Sequence, residues 1–368
     1  MVLKSVSRRF CCLSMLLLAL PFSTSAAVQV DDLYDATEVI TVGASSDEQR
    51  QLMAKGLAQV FAKVSGDENV VADDGINGYL KDAQSYLLSF SFEPNDEKRV
   101  NALGEVVDTQ KLKMSFDSSR VNSSLTSQGF PVWGARRPEI MVWIASDNNG
   151  VREILSGESH LDLANDFRQL ADARGLPVIF PHLDLEDQLT LDVSELWGLF
   201  PEAISKASSR YNPDAILAGR VEYLSEHQWR SEWLFVFNGE QRKLSINGDS
   251  RQDMIDQILA QVSSRLASQY AVYLNSMFED QVTLRISGIK TLAEYHSVLQ
   301  YVGNMTGVKS STVTSVAGNV LKIKVDVSGD TQQLRDLIAL DSHLVQEEYL
   351  APAGTPAAGN ELRYAWAP

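Results

Sequence analysis

Residues 136–187 contain three consecutive segments: RRPEIMVWIASDN at 136–148, HLDLANDFRQLADARG at 160–175, and LPVIFPHLDLED at 176–187. The apolar runs at 140–145 and 176–180 lack the polar alternation of a half-exposed strand, which is typical of strands covered on both faces. Between them, apolar residues recur at steps of three and four, which predicts an amphipathic helix. The segment therefore predicts two parallel strands joined by a helix in a right-handed crossover.

The composition is that of a folded, acidic protein with several domains. The chain has 368 residues, of which 44% are hydrophobic and 22% are charged, and its formal net charge is −16 at pH 7. At about 100 to 200 residues per domain, this length predicts two or three domains. The negative charge argues against nucleic acid or an anionic lipid surface as a main partner.

The N-terminus has the pattern of a secretion signal. A basic start precedes an apolar run at 10–20, and small residues follow that run. This pattern predicts a signal peptide over residues 1–26, with cleavage after either Ala26 or Ala27. The apolar run is shorter than the roughly 20 residues that cross a bilayer, so no membrane span is expected after cleavage. We therefore expect a periplasmic protein.

The mature chain is predicted to fold into three small domains of the α/β and α+β class. Residues 28–132 form an α/β domain, in which a capping box from Ser46 to Gln49 starts the first long helix. Residues 137–276 form a central α/β domain with a mixed sheet, containing the βαβ crossover and a β-meander. The meander turns at Asn238-Gly239, a dipeptide that favours a two-residue hairpin.

The C-terminal part has the element order of a ferredoxin-like domain. Residues 281–350 have the pattern strand, helix, strand, strand, helix, which lacks only the last strand of that fold. Residues 351–368 form a linker rich in Pro, Ala and Gly, followed by a short tail strand. Two segments remain candidates for the missing strand, residues 344–347 and residues 362–366.

Established catalytic motifs are absent from the sequence. The only cysteines, Cys11 and Cys12, lie in the predicted leader, so the mature chain would have neither a disulfide nor a thiol nucleophile. The five histidines form no metal motif, and no phosphate-binding loop, dinucleotide fingerprint or Gly-x-Ser-x-Gly elbow occurs. We therefore predict a protein that is not an enzyme, with no catalytic residue and no cofactor.

One cluster of polar residues follows the second predicted parallel strand. His182, Asp184 and Asp187 lie where ligands of open α/β sheets bind, beyond the carboxyl ends of the strands. An imidazole and two carboxylates would suit a metal ion, so these three residues are the candidate metal ligands. The favoured alternative is that the acids are solvated or cap the next segment.

Aromatic and cationic residues are the remaining candidates for binding. Tryptophan is enriched at interface hot spots, which makes Trp197, Trp229 and Trp233 candidates for a partner groove, although packing in the core is favoured. Trp366 lies in the tail, which is able to add a strand to another chain's sheet or to its own. Five arginines are candidates for an anion pocket: Arg136, Arg137, Arg210, Arg220 and Arg230. The favoured alternative is that they form ion pairs with acidic residues.

Several motifs together resemble a known family. They are VDDLYDA at 30–36, GLAQVFAKVSG at 56–66, RRPEIMVWIA at 136–145, ARGLPVIFPHLDLED at 173–187 and ASSRYNPDAILAGR at 207–220. The chain resembles an uncharacterised family of exported proteobacterial proteins, domain of unknown function 2066, and the resemblance implies no catalytic residues. In element order, the central domain is similar to the TolB N-terminal domain and to penicillin-binding-protein activators, a likeness that does not fix function.

The functional hypothesis from sequence is a non-catalytic cell-envelope protein that binds other envelope proteins or assists their assembly. Export, several small domains and the missing catalytic motifs favour it. The first alternative is a metal-binding protein or metal-dependent hydrolase that uses His182, Asp184 and Asp187. The second alternative is a small-ligand receptor with its site in a cleft between domains.

Overall fold

The fold was analysed in a computed structural model. It describes residues 28–100, 104–148, 150–157, 161–225, 227–274, 279–340, 342–347 and 361–367. The predicted signal peptide and most of the predicted linker lie outside these residues. The chain is a mixed α/β protein, as the sequence predicts.

The N-terminal unit is a three-stranded antiparallel sheet with a long helix on one face. Its elements are β1 (Val28–Gln29), β2 (Asp35–Thr41), α1 (Ser46–Ser65), α2 (Asp74–Leu80), β3 (Leu87–Val100), β4 (Val106–Phe116) and α3 (Ser118–Ser127). The sheet has the order β2-β4-β3, and Leu57, Val60 and Phe61 of α1 are buried against Leu112 and Met114 of β4.

The cap of α1 lies one residue before the predicted one. Ser45 has extended backbone, and its hydroxyl accepts a hydrogen bond from the Glu48 N–H at 3.2 Å. Ser46 is already helical, so its side chain is not placed to cap the first turn. The helix ends at Gly66, where φ is +75° and a Cβ would lie 2.2 Å from Ala267 Cβ, so glycine is required there.

The central unit is a six-stranded mixed sheet with helices. Its elements are β5 (Arg136–Arg137), β6 (Ile140–Asn148), β7 (Val151–Leu155), α4 (Leu161–Ala173), β8 (Val178–Ile179), α5 (Leu185–Thr190), α6 (Val193–Trp197), α7 (Pro201–Ser208), β9 (Ala215–Ser225), β10 (Gln228–Phe237), β11 (Glu240–Gly248) and α8 (Arg251–Tyr270). Strand β6 pairs in parallel with β9 and with the short β8, so the predicted parallel pair joined by a helix is confirmed. Strand β7, which the sequence does not predict, pairs antiparallel with β6.

The meander turns where the sequence predicts. Asn238 and Gly239 have φ values of +50° and +76°, the left-handed backbone of a tight hairpin turn, and β10 pairs with β11 on either side of them. Helix α8 packs across this sheet together with α4 and closes the largest apolar core of the protein. Strand β8 ends at Ile179, opposite Met141 near the start of β6, and the polar cluster after β8 contacts Arg210 and Tyr211, which precede the start of β9. The cluster therefore lies at the edge where β6 and β9 begin, and not beyond their carboxyl ends as the sequence predicts.

The C-terminal unit contains a five-stranded sheet and two helices. Its elements are β12 (Glu279–Ser287), α9 (Leu292–Gly303), β13 (Val308–Ala317), β14 (Val320–Ser328), α10 (Thr331–Ala339), β15 (Leu344–Gln346) and β16 (Glu361–Trp366). The sheet has the order β13-β14-β12-β16-β15. Both candidates for the last strand join it: the tail strand β16 pairs in parallel with β12, and the shorter β15 pairs antiparallel with β16.

The three units are in contact with one another. Strand β1 pairs with β5, so the start of the described chain forms a two-stranded ribbon with the start of the central unit. Val132 and Val272 form a bridge between the N-terminal and central units, and Leu337 of α10 packs into the central core. Within the described residues, no helix is both long and apolar enough to cross a membrane.

Candidate functional site

The polar cluster after β8 is organised around Arg210. The Arg210 guanidinium donates to Asp184 at 2.7 Å and 2.8 Å and to the buried Asp187 at 3.0 Å. The Tyr211 hydroxyl donates to the other oxygen of Asp187 at 2.6 Å, and the Leu183 N–H donates to the same oxygen at 2.9 Å. Asp184 is also the N-cap of α5, because it accepts from the Asp187 N–H at 3.0 Å.

Hydrogen bonds and burial shift the pKa values of this network. Hydrogen bonds from Arg210 and from the Asp187 N–H hold the pKa of Asp184 well below its usual range. Burial, together with the carboxylate of Asp187, raises the pKa of Tyr211 to about 12. Because the folded-state pKa of Asp184 lies below its unfolded value, its ion pair stabilises the fold at neutral pH. That contribution is lost only as the pH falls through the folded-state value.

This geometry argues against the predicted metal site. Arg210 engages both carboxylates, and a cation in the same place would have to displace it. His182 contributes its backbone N–H, which donates to the Tyr211 hydroxyl at 3.0 Å. Among the described residues, no group of three or more His, Cys, Asp or Glu side chains is placed to hold a metal ion. The cluster joins the loop after β8 to the end of α7.

We expect the Asp187→Ala variant to lose about 2 to 4 kcal/mol of unfolding free energy, because it leaves a partly buried N–H, a hydroxyl and part of a guanidinium without their acceptor. Asp184→Ala should cost less, since Asp184 is far more exposed than Asp187. Chemical denaturation of both variants measures the difference. An Asp187→Ala variant as stable as Asp184→Ala would contradict the structural role.

Three of the four tryptophans proposed for partner binding are buried. Trp233 is fully buried and donates its indole N–H to Ser231 at 2.8 Å, and Trp197 and Trp366 are each 8% exposed. Trp197 is covered by Arg152, whose guanidinium carbon lies 4.2 Å from the ring centre. These three side chains do not offer a contact surface, because neighbouring elements already cover them. Trp229 is half-buried and packs against Tyr223 at 5.1 Å between ring centres.

The five arginines do not converge on one anion pocket. Arg210 pairs with Asp184 and Asp187, Arg220 pairs with Glu232 at 2.7 Å, and Arg230 lies 3.9 Å from Glu222. Arg137 is fully buried and hydrogen-bonded to backbone carbonyls. Arg136 instead lines a cavity beside the C-terminal unit. Pairing with acids, the favoured expectation, is observed for Arg210, Arg220 and Arg230.

The most exposed apolar surface of the N-terminal unit lies on β3. This 14-residue strand ends the sheet order β2-β4-β3, and no other described strand pairs with its outer edge. Phe90 and Phe92 lie opposite Met114 and Leu112 of β4, so they point to the face that α1 covers farther along the sheet. They are 50% and 42% exposed, and their rings contact each other at 5.9 Å.

The two halves of β3 differ in how they resist edge pairing. The half at residues 94–100 contains Pro94, a register shift between Asn95 and Lys98, and a Lys98 to Asp108 ion pair, all of which discourage another strand. The half at residues 87–93, LLSFSFE, contains no proline; its register shift lies at its start, between Leu87 and Ser89, and its one charge, Glu93, pairs with Lys113 at its end. That half is therefore an open edge, flanked on one face by the two phenylalanines.

Sequence reasoning missed this edge. Residues 95–99, NDEKR, have the composition of a charged loop, but they continue β3. Phe90 and Phe92 alternate with serine in the way that Leu112 and Met114 alternate with lysine, and both patterns predict a strand with one apolar face. Which of the two strands the helix covers depends on the order of strands in the sheet, and local alternation carries no signal for that.

Comparisons with known proteins leave the function open. Residues 27–134 match a family described as a domain of unknown function (DUF8605). The match is consistent with an uncharacterised family for the N-terminal unit and does not confirm the number 2066 given by the resemblance. No curated protein matches the chain.

Solved structures show only weak likeness. The competence or damage-inducible protein from Enterobacter asburiae is 11% identical, with a TM-score of 0.21 over 41% of this chain and 93% of that one. Competence damage-inducible protein A from Klebsiella pneumoniae is 13% identical, with a TM-score of 0.22 over 41% and 92%. The K. lactis urea amidolyase is 11% identical, with a TM-score of 0.17 over 72% and 24%. TM-scores this low support no inference about the fold or the function of this chain.

Proposed function

We propose that the protein is an exported, non-catalytic binding or assembly factor of the cell envelope, and that its partner is another protein. The observation that carries the proposal is the open edge of β3 at residues 87–93. A partner segment in extended conformation adds to this edge as a fourth strand of the N-terminal sheet. Its backbone pairs with the free N–H and C=O groups of β3.

Phe90 and Phe92 would supply most of the binding energy. Each side chain still exposes about half of its surface, and that surface would be buried by alternate apolar residues of an added strand. Aromatic anchors of this kind dominate the energetics of many interfaces. The partner segment is therefore expected to carry apolar residues at every second position.

Export to the periplasm is part of the proposal. Its support is the basic, apolar and small-residue pattern of residues 1–26, together with the confinement of both cysteines to that segment. The proposal is non-catalytic because the carboxylates of the candidate metal site, Asp184 and Asp187, are held in ion pairs with Arg210. A periplasmic partner would meet the N-terminal sheet without crossing a membrane.

Photo-crosslinking in the native host tests the proposal. With a photoreactive residue in place of Ser91 on β3, we expect an adduct of defined mass on irradiation. Phe90→Thr with Phe92→Thr should weaken the adduct by about tenfold or more, since removal of a hot-spot residue costs about 2 kcal/mol. Threonine retains a high strand propensity, so the fold should be preserved. The adduct yield and the melting temperature are the two measurements.

Two controls accompany this experiment. Ser89→Thr changes the opposite face of the same strand, keeps the photoreactive residue at position 91, and should leave partner capture unchanged. A photoreactive residue at Val316, on the edge strand β13 of the C-terminal unit, should give no matching adduct; Val316 is 60% exposed, so it is accessible. Recovery of only monomer from both positions, or an adduct that survives the phenylalanine changes, would count against the proposal.

A further inference from the structure

The open edge of β3 is short and has a defined midpoint. Its regular part begins after the register shift between Leu87 and Ser89 and ends before Pro94, which has no backbone N–H to donate. The segment SFSFE at residues 89–93 remains for regular pairing, and Ser91 is its centre. An edge strand is a template for another strand, so the length and the centre of this segment decide which strand fits it.

The segment is complementary to itself in the antiparallel direction. When two copies pair about Ser91, Phe90 of each copy lies opposite Phe92 of the other, and Ser89 lies opposite Glu93. Cross-strand aromatic pairs stabilise a sheet, and a serine hydroxyl donates to a carboxylate. The two Glu93 residues are about 13 Å apart along the strands, so their carboxylates do not face each other. A second copy therefore supplies the alternate apolar residues that suit this edge.

The twofold axis of such a pair keeps the apolar faces together. Antiparallel pairing of identical strands places the axis normal to the sheet, so Phe90 and Phe92 of both copies are on the same side. Helix α1 packs on Leu112 and Met114 on that side in each copy. The phenylalanine rings of both copies then lie between the two α1 helices, and each ring is 42% to 50% exposed in the single chain. Pairing therefore covers an apolar face that the single chain leaves open.

The charge of the β3–β4 hairpin permits two copies to approach each other. The whole chain has a formal net charge of −16, which opposes self-association. Strands β3 and β4 together carry four acidic and four basic residues, so their charges balance. Glu93 is the one charged residue of the pairing segment, and it pairs with Lys113 of its own sheet at 2.9 Å. The edge is therefore a neutral place on an acidic protein, where two copies meet without strong local repulsion.

We infer that the open edge of β3 pairs with the same edge of a second copy, and that this dimer masks the edge when the envelope partner is absent. The inference rests on the proposed function, since it assigns a competing occupant to the same site. The paired surface is isologous, so assembly stops at two copies. It is small beside the roughly 1,600 Å² of a standard interface, so we expect a dissociation constant on the order of micromolar. A partner that binds more tightly displaces so weak a dimer by mass action.

Charge placed at the centre of the pair tests the inference, because Ser91 lies opposite itself only in this register. Sedimentation velocity of the purified protein between about 1 and 200 μM should show a monomer that converts to a dimer. Ser91→Lys sets two ammonium groups face to face, beside Lys113 of each copy, and should weaken the dimer by about tenfold or more. A mixture of Ser91→Lys and Ser91→Glu copies should restore pairing, since the facing charges are then opposite.

Ser315→Lys is the matched control, because Ser315 is an exposed serine of β13, the edge strand of the C-terminal sheet. It should leave the dimer unchanged, and the melting temperature of each variant checks that the fold is kept. A protein that stays monomeric at about 200 μM would overturn the inference. A dimer that survives Ser91→Lys, or a mixture that pairs no better than Ser91→Lys alone, would also overturn it.

Crosslinking in the host separates this inference from the proposed function. With the photoreactive residue at position 91, a masked edge gives an adduct of twice the monomer mass, and a partner gives an adduct of a different mass. Raising the amount of the protein should increase the first adduct at the expense of the second. A dimer adduct without a partner adduct would contradict the proposed function alone. A partner adduct with no dimer at any protein level would contradict the masking alone.

Discussion

Replacement of Arg137 by methionine should lower the free energy of unfolding by on the order of 3 to 5 kcal/mol, the scale of losing a buried charged hydrogen-bond network. The side chain is fully buried between the N-terminal and central units. Its donors reach the carbonyls of Lys63 at 2.7 Å, Trp133 at 3.1 Å, Gly134 at 3.2 Å and Arg174 at 3.1 Å. Methionine is of similar length but donates to none of them.

The position of those carbonyls explains the size of the effect. Lys63 lies in the last turn of α1 and Arg174 directly follows α4, so Arg137 serves two helix C-termini, where carbonyls lack partners within the helix. A cation also interacts favourably with the negative ends of both helix dipoles. The guanidinium stacks on Trp133 at 3.8 Å. Burial lowers the pKa of Arg137 to about 9, so the group remains charged at neutral pH.

Chemical denaturation followed by circular dichroism measures the loss. Arg137→Lys keeps a charge, but one ammonium group is not able to reach four carbonyls, so an intermediate loss is expected. Arg50→Met, at an exposed arginine of α1, is the control and should change stability by less than about 0.5 kcal/mol. If Arg137→Met were as stable as Arg50→Met, the buried guanidinium would not be holding the two units together.

Arg137 also shows where sequence reasoning reaches its limit. Arg136 and Arg137 are adjacent and identical in type, and the sequence grouped them with three other arginines as a possible anion pocket. In a strand, neighbouring side chains point to opposite faces. Arg137 points into the junction of two units, and Arg136 points toward the cavity. The alternation is predictable, but which face is the interior depends on how the β1–β5 ribbon packs.

The elements with strong local signals were predictable. The crossover at residues 136–187 and the Asn238-Gly239 hairpin depend on apolar periodicity and turn chemistry, which act over a few residues. The order of strands in a sheet does not depend on such local signals, as the tail segment shows. Two candidate segments were available for one position, and the structure uses both, with β16 inserted between β12 and β15. Long-range pairing of this kind leaves no mark on either segment alone.

Deletion of residues 361–368 should unfold the C-terminal unit and leave the N-terminal unit folded. Strand β16 pairs with β12 on one side and β15 on the other, so its loss opens the sheet in its interior. Leu362, Tyr364 and Trp366 are each no more than 8% exposed, and burial of such side chains contributes about 1.5 to 3 kcal/mol each. Their sum is comparable with the whole stability of a typical domain, about 5 to 15 kcal/mol.

Hydrogen exchange resolved by segment measures this result. Amides of β12, β14 and β15 should lose protection in the truncated chain, whereas those of β4 and α1 should keep it, because the N-terminal core is a separate cluster. Val345→Thr, at an exposed position of β15, is the matched control and should change little. Retained protection of β12 in the truncated chain would mean that β15 moves in to replace the tail.

A synthetic peptide of residues 361–368 separates loss of the strand from a general failure to fold. Added to the truncated chain, it should restore protection of β12, since the strand contributes buried side chains and ladder hydrogen bonds that do not require a covalent link. In the intact chain, the covalent link gives the tail strand an effective concentration on the order of millimolar at its place in the sheet. Rescue should therefore require free peptide near that concentration. A peptide with Tyr364→Ser and Trp366→Ser should fail to rescue. Equal rescue by both peptides would show that backbone pairing alone completes the sheet.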